Sequence, residues 1–489
     1  MRSHYRLITL FVFVLLIPIG ILGQNETDVV RYFDTSPIGT ARLSSMAGSF
    51  GALGGDLSAI SINPAGSAIY HKSDVVLTPG FTFNTVSSDA NGNTNDDNRN
   101  KFVFSNLGYA TTTAGDGNES FYLAYSMGYT KTMDYNRNSS LAYANNSSSM
   151  LFSFTDRAYG IPSYFLPDED PFASNLAYET YLIDPVEDTP VYYTTQPLYE
   201  ESFNGVNQSN SIEEIGSMGE VFFNIGLAIK ERVHIGATMT FVKGDYEQSL
   251  SFREDSTVDS LLLDNFIFRY NQKSAMSGLN LKFGLIFKPE DWLRLGLAWH
   301  VPYQLVVNDE FSTGIRSQFK DGEFFDVESP LGAIEYNLKN PGKWIFSAAL
   351  VGKDRGLINF DFEWMNYSGS KIISSDFDFT EENQQIANAL RNTLTIRIGG
   401  EIWAGRYNFR AGYAYRQNPY ANTDISKSGH YNTYSIGTGF VSDNNIYVNL
   451  SANYQQDGRS YYPYNDDMAP LISDKYRSIL ILTSVGLRF

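Results

Sequence analysis

A chain of 489 residues with a formal charge of −18 and no cysteine excludes several chemistries at once. Nucleic-acid binding needs a concentrated Lys/Arg surface, which 36 basic against 54 acidic residues do not supply. Disulfides, thiolate metal sites, thiol nucleophiles and a lipid anchor on cysteine are excluded outright.

Met1–Gly23 carries Arg2 and Arg6, then the apolar run Leu7–Leu16, with Pro18 and Gly20 interrupting its end and Gly23 before Gln24. A positive start, a short apolar core and a small residue at the cut read as a secretory signal peptide. Residues 24–40 are a short polar lead. The stretch Ala41–Tyr70 is dense in Gly, Ala and Ser, almost uncharged, and ends in the turn signal Ser61-Ile62-Asn63-Pro64-Ala65-Gly66. Small residues let a segment fold tightly in a confined space, so 24–73 is expected to form a lead and a plug.

From Asp74 onward the pattern has period two, the strand signature. Val221, Phe223, Ile225, Leu227 and Ile229 alternate with Asn224, Gly226, Ala228 and Lys230. Leu279–Lys288, Tyr407–Arg416 and Ile446–Gln455 repeat the scheme. A soluble sandwich alternates in the same way, and the connections separate the two cases. Reading strands at 75–86, 100–111, 118–130, 218–229, 233–252, 264–288, 291–312, 333–352, 356–368, 393–403, 406–416, 431–441, 445–455 and 477–489 gives about fourteen. Tight connections (230–232, 289–291, 353–355, 404–405) alternate with long ones (87–99, 131–217, 313–332, 369–392, 417–430, 456–476). An even strand count with short turns on one side and long loops on the other is the pattern of an outer-membrane barrel. The predicted fold is therefore all-β: a transmembrane antiparallel β-barrel over 74–489, with a plug inside and long extracellular loops.

Residues 131–217 hold six prolines and a run of aromatics from Phe152 to Tyr193, which argues for a structured external cap over plain disorder. Ser87–Asn100 reads as a solvated loop. The chain closes on an alternating strand ending in Phe489, like the C-terminal insertion signal of outer-membrane barrels.

The plug motif Gly54-Gly55-Asp56-Leu57-Ser58-Ala59-Ile60-Ser61-Ile62-Asn63-Pro64-Ala65-Gly66 resembles the N-terminal hatch of FadL/TodX-type outer-membrane transporters of long-chain fatty acids and aromatic hydrocarbons. Pro341-Gly342-Lys343-Trp344, running into Ile345–Val351, and Gly356–Ser368 look like later strands of that family. The resemblance implies fourteen strands, a hatch with an Asn-Pro-Ala turn, a long third-hairpin loop and uptake of apolar small molecules into a Gram-negative cell.

No enzyme motif is present: the five histidines are scattered, with no metal-binding spacing. No cofactor or metal is expected. Axial haem ligation by His300 or His71 is the exception worth weighing; inward polar filler is the simpler role. The ligand pocket is expected against the hatch around Phe50, Leu53, Ile60 and Ile62, with Arg397, Arg410 or Lys282 taking a ligand carboxylate. The alternative for those cations is pairing with Glu401, Asp361 and Glu363 on neighbouring strands. Gly54, Gly55, Asp56, Asn63, Pro64, Ala65 and Gly66 are the expected gating group, with Asn63-Pro64 either a pivot or a purely structural turn. Expected partners are a hydrophobic small molecule, outer-membrane lipid and, through Phe489, the barrel-assembly machinery, for a protein acting as a monomer. A general porin, a haem-uptake barrel and a surface adhesin are the competing functions.

Overall fold

The computed structural model describes residues 26–34, 38–113, 120–187, 189–195, 203, 205–257, 262–421, 431–464 and 469–489. The expected signal peptide lies outside the described residues.

Fourteen antiparallel strands close into a barrel. They are β1 Asp74–Ala90, β2 Asn93–Thr112, β3 Phe121–Asp134 continued by Arg137–Asn145, β4 Val206–Ile229, β5 Val233–Ser256, β6 Leu263–Glu290 and β7 Leu293–His300 continued by Tyr303–Phe319. There follow β8 Gly332–Asn340 continued by Lys343–Gly352, β9 Gly356–Asn366, β10 Asn392–Ala404, β11 Tyr407–Arg416, β12 Tyr431–Val441, β13 Ile446–Tyr461 and β14 Ile472–Arg488. The seam runs between β1 and β14, from Asp74 opposite Arg488 to Asp89 opposite Ser473. Pro302 in β7 and Pro341 in β8 interrupt their strands at the same level, where His300 faces Lys343 and Tyr303 faces Asn340. A proline has no N–H for the ladder, so each strand breaks there and resumes.

The alternating apolar residues face outward. Ile225, Leu281, Ile396 and Val485 are all more than one-third exposed, an anomaly in water and a necessity in hydrocarbon. Aromatic rings border this band. Phe283, Trp299 and Trp344 stack across three strands with centroids 6.1 and 5.5 Å apart, and Tyr413 packs on Tyr434 at 5.2 Å. Such belts sit at the membrane–water interface.

Several connections are shorter than the sequence suggests. Residues 87–99 are strand, not loop: β1 and β2 continue to a two-residue turn at Asn91 and Gly92, both at positive φ (+53° and +83°), as a primed hairpin turn requires. Likewise 137–145 and 206–217 are strand, and the excursion narrows to the residues between Asn145 and Val206. The reason is common to both. The outward face of these extensions is polar, with Asn, Asp and Ser where the apolar residues stood, while inward residues such as Ser88, Tyr143 and Gln208 stay buried and the ladder persists. The excursion itself folds as α-helices Met150–Ala158, Leu166–Glu169 and Ser174–Glu179 with a small hairpin, packed on the long-loop ends of β5, β6 and β7 through Phe154, Leu176, Phe252 and Phe266.

Inside the barrel, residues 38–73 fill the short-turn half. Above them a helix that the lead did not announce, α1 (Glu26–Phe33), lies in the lumen with Val29, Tyr32 and Phe33 buried.

Candidate functional site

The hatch is knotted at the predicted motif. Gly54 and Gly55 adopt φ +64° and +65°, and the Gly55 N–H donates to the Gly66 carbonyl at 3.0 Å. Asp56 accepts from the Thr40 hydroxyl at 2.7 Å and from the backbone N–H of Ser58 at 3.0 Å. Asn63 caps the 3-10 helix Pro64–Ile69 by accepting from the Ala65 N–H at 3.1 Å, with Pro64 at the first helical position. The Asn63 amide donates to the carbonyls of Gly51 (2.6 Å) and, on the wall, of Leu285 (3.2 Å). Gly54, Gly55, Asp56, Asn63, Pro64, Ala65 and Gly66 are thus brought together, and Asn63-Pro64 is seated against the wall.

The seat is made of missing side chains. Gly226, Gly236 and Gly284 lie side by side across β4, β5 and β6. A Cβ on Gly236 would run into the Pro64 carbonyl, and one on Gly284 into the Asn63 side chain. A second pair, Gly399 and Gly412 on β10 and β11, receives Met46 the same way. These inward glycines alternate with the apolar outward residues and were visible in the sequence, but only the cross-strand register shows that they form rows.

Phe50, Leu53, Ile60 and Ile62 are all buried. Phe50, Leu53 and Ile62 pack with Ala298, Ile345 and Ala349 of the wall, and Ile60 packs with Leu57, Val76 and Phe222. A hatch of small residues lies so close to the wall that its few large side chains fill the joint between them.

The inward charges are paired. Glu401 accepts from Arg410 at 2.8 Å on one oxygen and from Arg42 of the hatch at 2.8 Å on the other. Asp361 accepts from the backbone N–H groups of Phe50 (2.9 Å) and Gly51 (3.1 Å). Arg397 pairs with Glu363 at 3.0 Å, as does Lys343 at 3.2 Å. Arg410 therefore braces the hatch against the wall through Glu401, and Arg397 ties β10 to β9 within the wall. Lys282 stands apart from them, pairing with Glu220 at 2.5 Å beside a chamber just above the hatch. Phe33, Ser61, His300, Tyr303 and Lys343 also line this chamber, whose free volume is about 30 Å³, room for one water. His300 shares a hydrogen bond with the Ile62 carbonyl at 2.9 Å, whereas His71 is exposed beside Glu231, so the two histidines serve different surroundings.

The chamber is this small because α1 fills the space above it. The Tyr32 hydroxyl donates to Ser274 (3.1 Å), Tyr367 donates to Asp34 (3.1 Å), and Arg31 lies 4.5 Å from the centre of the Tyr246 ring. Its apolar side meets Met276, Leu305, Val307, Tyr336 and Leu338. Val29, Tyr32 and Phe33 have helical spacing, but eight residues are too few for periodicity to stand out.

The wall has an irregular joint between β2 and β3. β2 and β3 are laddered from Thr112 opposite Ala124 to Asn106 opposite Thr130; beyond that, among the described residues, the ladder ends. The lead enters the break: Ile38 donates its N–H to the Lys131 carbonyl of β3 at 3.0 Å, and Ser105 of β2 donates to the Gly39 carbonyl. Farther out the strands are tied by side chains, with Lys101 on Asn136 (2.9 Å) and Ser140 on Asp97 (2.8 Å).

Among solved structures the chain is similar to a Pseudomonas aeruginosa FadL homologue, at 13% identity over 93% of this chain and 99% of that one, TM-score 0.56. It is also similar to the P. putida toluene transporter TodX, at 11% identity over 92% and 98%, TM-score 0.52. At these identities the likeness is one of fold. No curated protein sequence matches the chain. The family model described as outer membrane protein transport protein (OMPP1/FadL/TodX) matches residues 206–478, more than half the chain. A barrel with an outward apolar band, a hatch in its lumen and this family match has one placement: the chain belongs to the OMPP1/FadL/TodX family of outer-membrane transport proteins of Gram-negative bacteria.

Proposed function

We propose that the protein takes up hydrophobic small molecules, long-chain fatty acids or similar apolar compounds, passively and as a monomer, and releases them sideways through the wall. One observation carries this. The hatch is seated backbone-to-backbone on glycine rows, while the break in the β2–β3 ladder is filled by a short piece of lead, Ile38–Gly39, with side-chain bonds alone tying the strands farther out. A water-filled porin has no use for such a stopper. The toluene transporter with the same fold agrees with an apolar cargo.

The exposed aromatics of the external cap, Tyr159, Tyr164 and Tyr181 among them, collect the ligand. It enters the lumen at the expense of α1, whose apolar seat it takes. Each methylene buried there contributes roughly 0.8 kcal/mol, so chain length dominates affinity. Lys282, at the floor, receives a carboxylate in exchange for its bond to Glu220. Withdrawal of Ile38–Gly39 then frees the break between the strands. Residues 1–23 act as the export signal, 24–73 as lead and hatch, 74–489 as the barrel, and Phe489 as the mark read by the assembly machinery. The work is transport; no step needs an enzyme.

The test uses the cysteine-free background. Ile38→Cys and Ser105→Cys are joined by a short, cleavable thiol-bridging reagent. Uptake of labelled fatty acid into vesicles should stop on bridging and return on cleavage, with binding retained throughout. Undiminished uptake across the bridge would show that the ligand leaves by another route.

A further inference from the structure

The lipid-facing surface beside the strand break is not evenly filled. Across β4, β5 and β6 the outward residues stand in register as Phe223–Met239–Leu281 and Ile225–Ala237–Phe283. Ala237 is the one small side chain among these six, and it leaves a trough of about 500 Å³ that runs on to Tyr109 of β2 and Met127 of β3. Its floor is strand backbone at Asn224 and Thr238, whose side chains turn inward and are buried. Its walls are aromatic, aliphatic and thioether groups, apolar and deformable.

The trough begins where the wall opens. Tyr109 faces Met127 three residues below the last laddered pair, Asn106 and Thr130, a separation of roughly 10 Å along the strands. Between them Leu107 faces Tyr129, and the Tyr129 ring stacks on Phe104 at 6.1 Å and 21° beside the break. An apolar track therefore leads from the break, past the Phe104–Tyr129 pair, into the trough.

We propose that this trough is an exit site for the transported molecule: an acyl or hydrocarbon chain emerging between β2 and β3 lies over Ala237, held by Met127, Phe223, Met239 and Phe283, before it disperses into the bilayer. The exit site presupposes the sideways release proposed above and adds a second place at which the ligand is bound. It gives the emerging chain an apolar surface to lie on, so no part of it need cross exposed backbone groups at the break.

Because the chain has no cysteine, Ala237→Cys can carry a single environment-sensitive fluorophore. The reference is Ala411→Cys on β11, a second small, lipid-facing residue of the barrel wall. Both labelled proteins are placed in nanodiscs and titrated with dibromostearic acid, whose bromines quench on contact. The expected result is saturable quenching at 237, at least about threefold stronger than at 411, where quenching should grow linearly with partitioning. Equal, non-saturating quenching at both positions overturns the proposal, because the ligand then merely dissolves in the lipid. Brominated phospholipid in place of the acid should quench both labels alike; stronger quenching at 237 by phospholipid also overturns it, making the trough a seat for membrane lipid. Dialysis binding of stearic acid by the unlabelled protein separates the two levels. Loss of saturable binding there would sink the transport function itself, whereas intact binding without selectivity at 237 would sink only the exit site.

Discussion

Glu401→Gln should unseat the hatch while leaving the barrel standing. Glu401 is buried and holds two guanidiniums at once, Arg410 of the wall and Arg42 of the hatch, each at 2.8 Å. Neutralising it keeps the shape but leaves two buried cations facing one another. Breaking a buried pair by removing one partner costs about 3–5 kcal/mol. Arg410 retains Asn449 at 2.9 Å, so the cheapest relief is for Arg42, and the hatch with it, to move out. At 1.4 kcal/mol per decade, the ratio of unseated to seated hatch should rise by roughly two to three and a half orders of magnitude. Planar-bilayer recording reads this as the frequency of large openings, and resistance of the barrel to SDS at room temperature serves as the folding control. Arg42→Met, which removes the tie without stranding the hatch cation, should open the barrel less than Glu401→Gln. Adding Arg42→Met to Glu401→Gln should reduce the openings again. If the two single variants behave alike and the double variant is no quieter than Glu401→Gln, Glu401 is not what ties hatch to wall.

Three further outcomes follow from the lumen. Lys282→Gln should weaken binding of a long-chain carboxylate by roughly ten- to 150-fold, the equivalent of a charged hydrogen bond of about 1.5–3 kcal/mol, while a neutral alkane of the same length binds as before; isothermal titration of both ligands checks it, and parallel losses would remove Lys282 from the headgroup site. Deleting residues 26–33 should raise affinity for the same acid at least tenfold, because the ligand no longer displaces Val29, Tyr32 and Phe33 from their seat; unchanged affinity would place the ligand outside that seat. Tyr367→Phe, which takes the hydroxyl from Asp34, should give a smaller gain of the same sign, about two- to tenfold for one hydrogen bond of roughly 0.5–1.5 kcal/mol.

What the sequence disclosed tracks where water and lipid enforce a pattern. Ile225, Leu281 and Phe409 must face hydrocarbon, so the alternation around them is strict, and the strands through the membrane stand where it places them. Gly54-Gly55-Asp56 and Asn63-Pro64-Ala65-Gly66 are legible because a tight knot demands particular residues at particular φ. The outer reaches of β1, β2 and β4 are less legible, since outward residues such as Asn95, Asn207 and Ser211 stand in water where strand and loop share a composition; the Asn91-Gly92 pair is the one local signal of the hairpin there. The role of α1 was hidden by its length. Arg410 and Arg397 could be placed inside the barrel but not assigned partners, because Arg42 reaches Glu401 from 359 positions away in the chain. The break between β2 and β3 leaves no composition signal at all; it is a matter of pairing.

The glycine rows carry a consequence for how this sequence can vary. In an ordinary strand, glycine is a burden of about 0.5–1 kcal/mol relative to alanine. Here the burden on β4, β5 and β6 is offset by the hatch, which needs the vacancy at Gly236 and Gly284. The effect of replacing either glycine therefore changes sign with the genetic background. Gly236→Ala should be harmful in the whole protein and beneficial in a barrel stripped of residues 38–70, so the two segments are bound to change together or not at all.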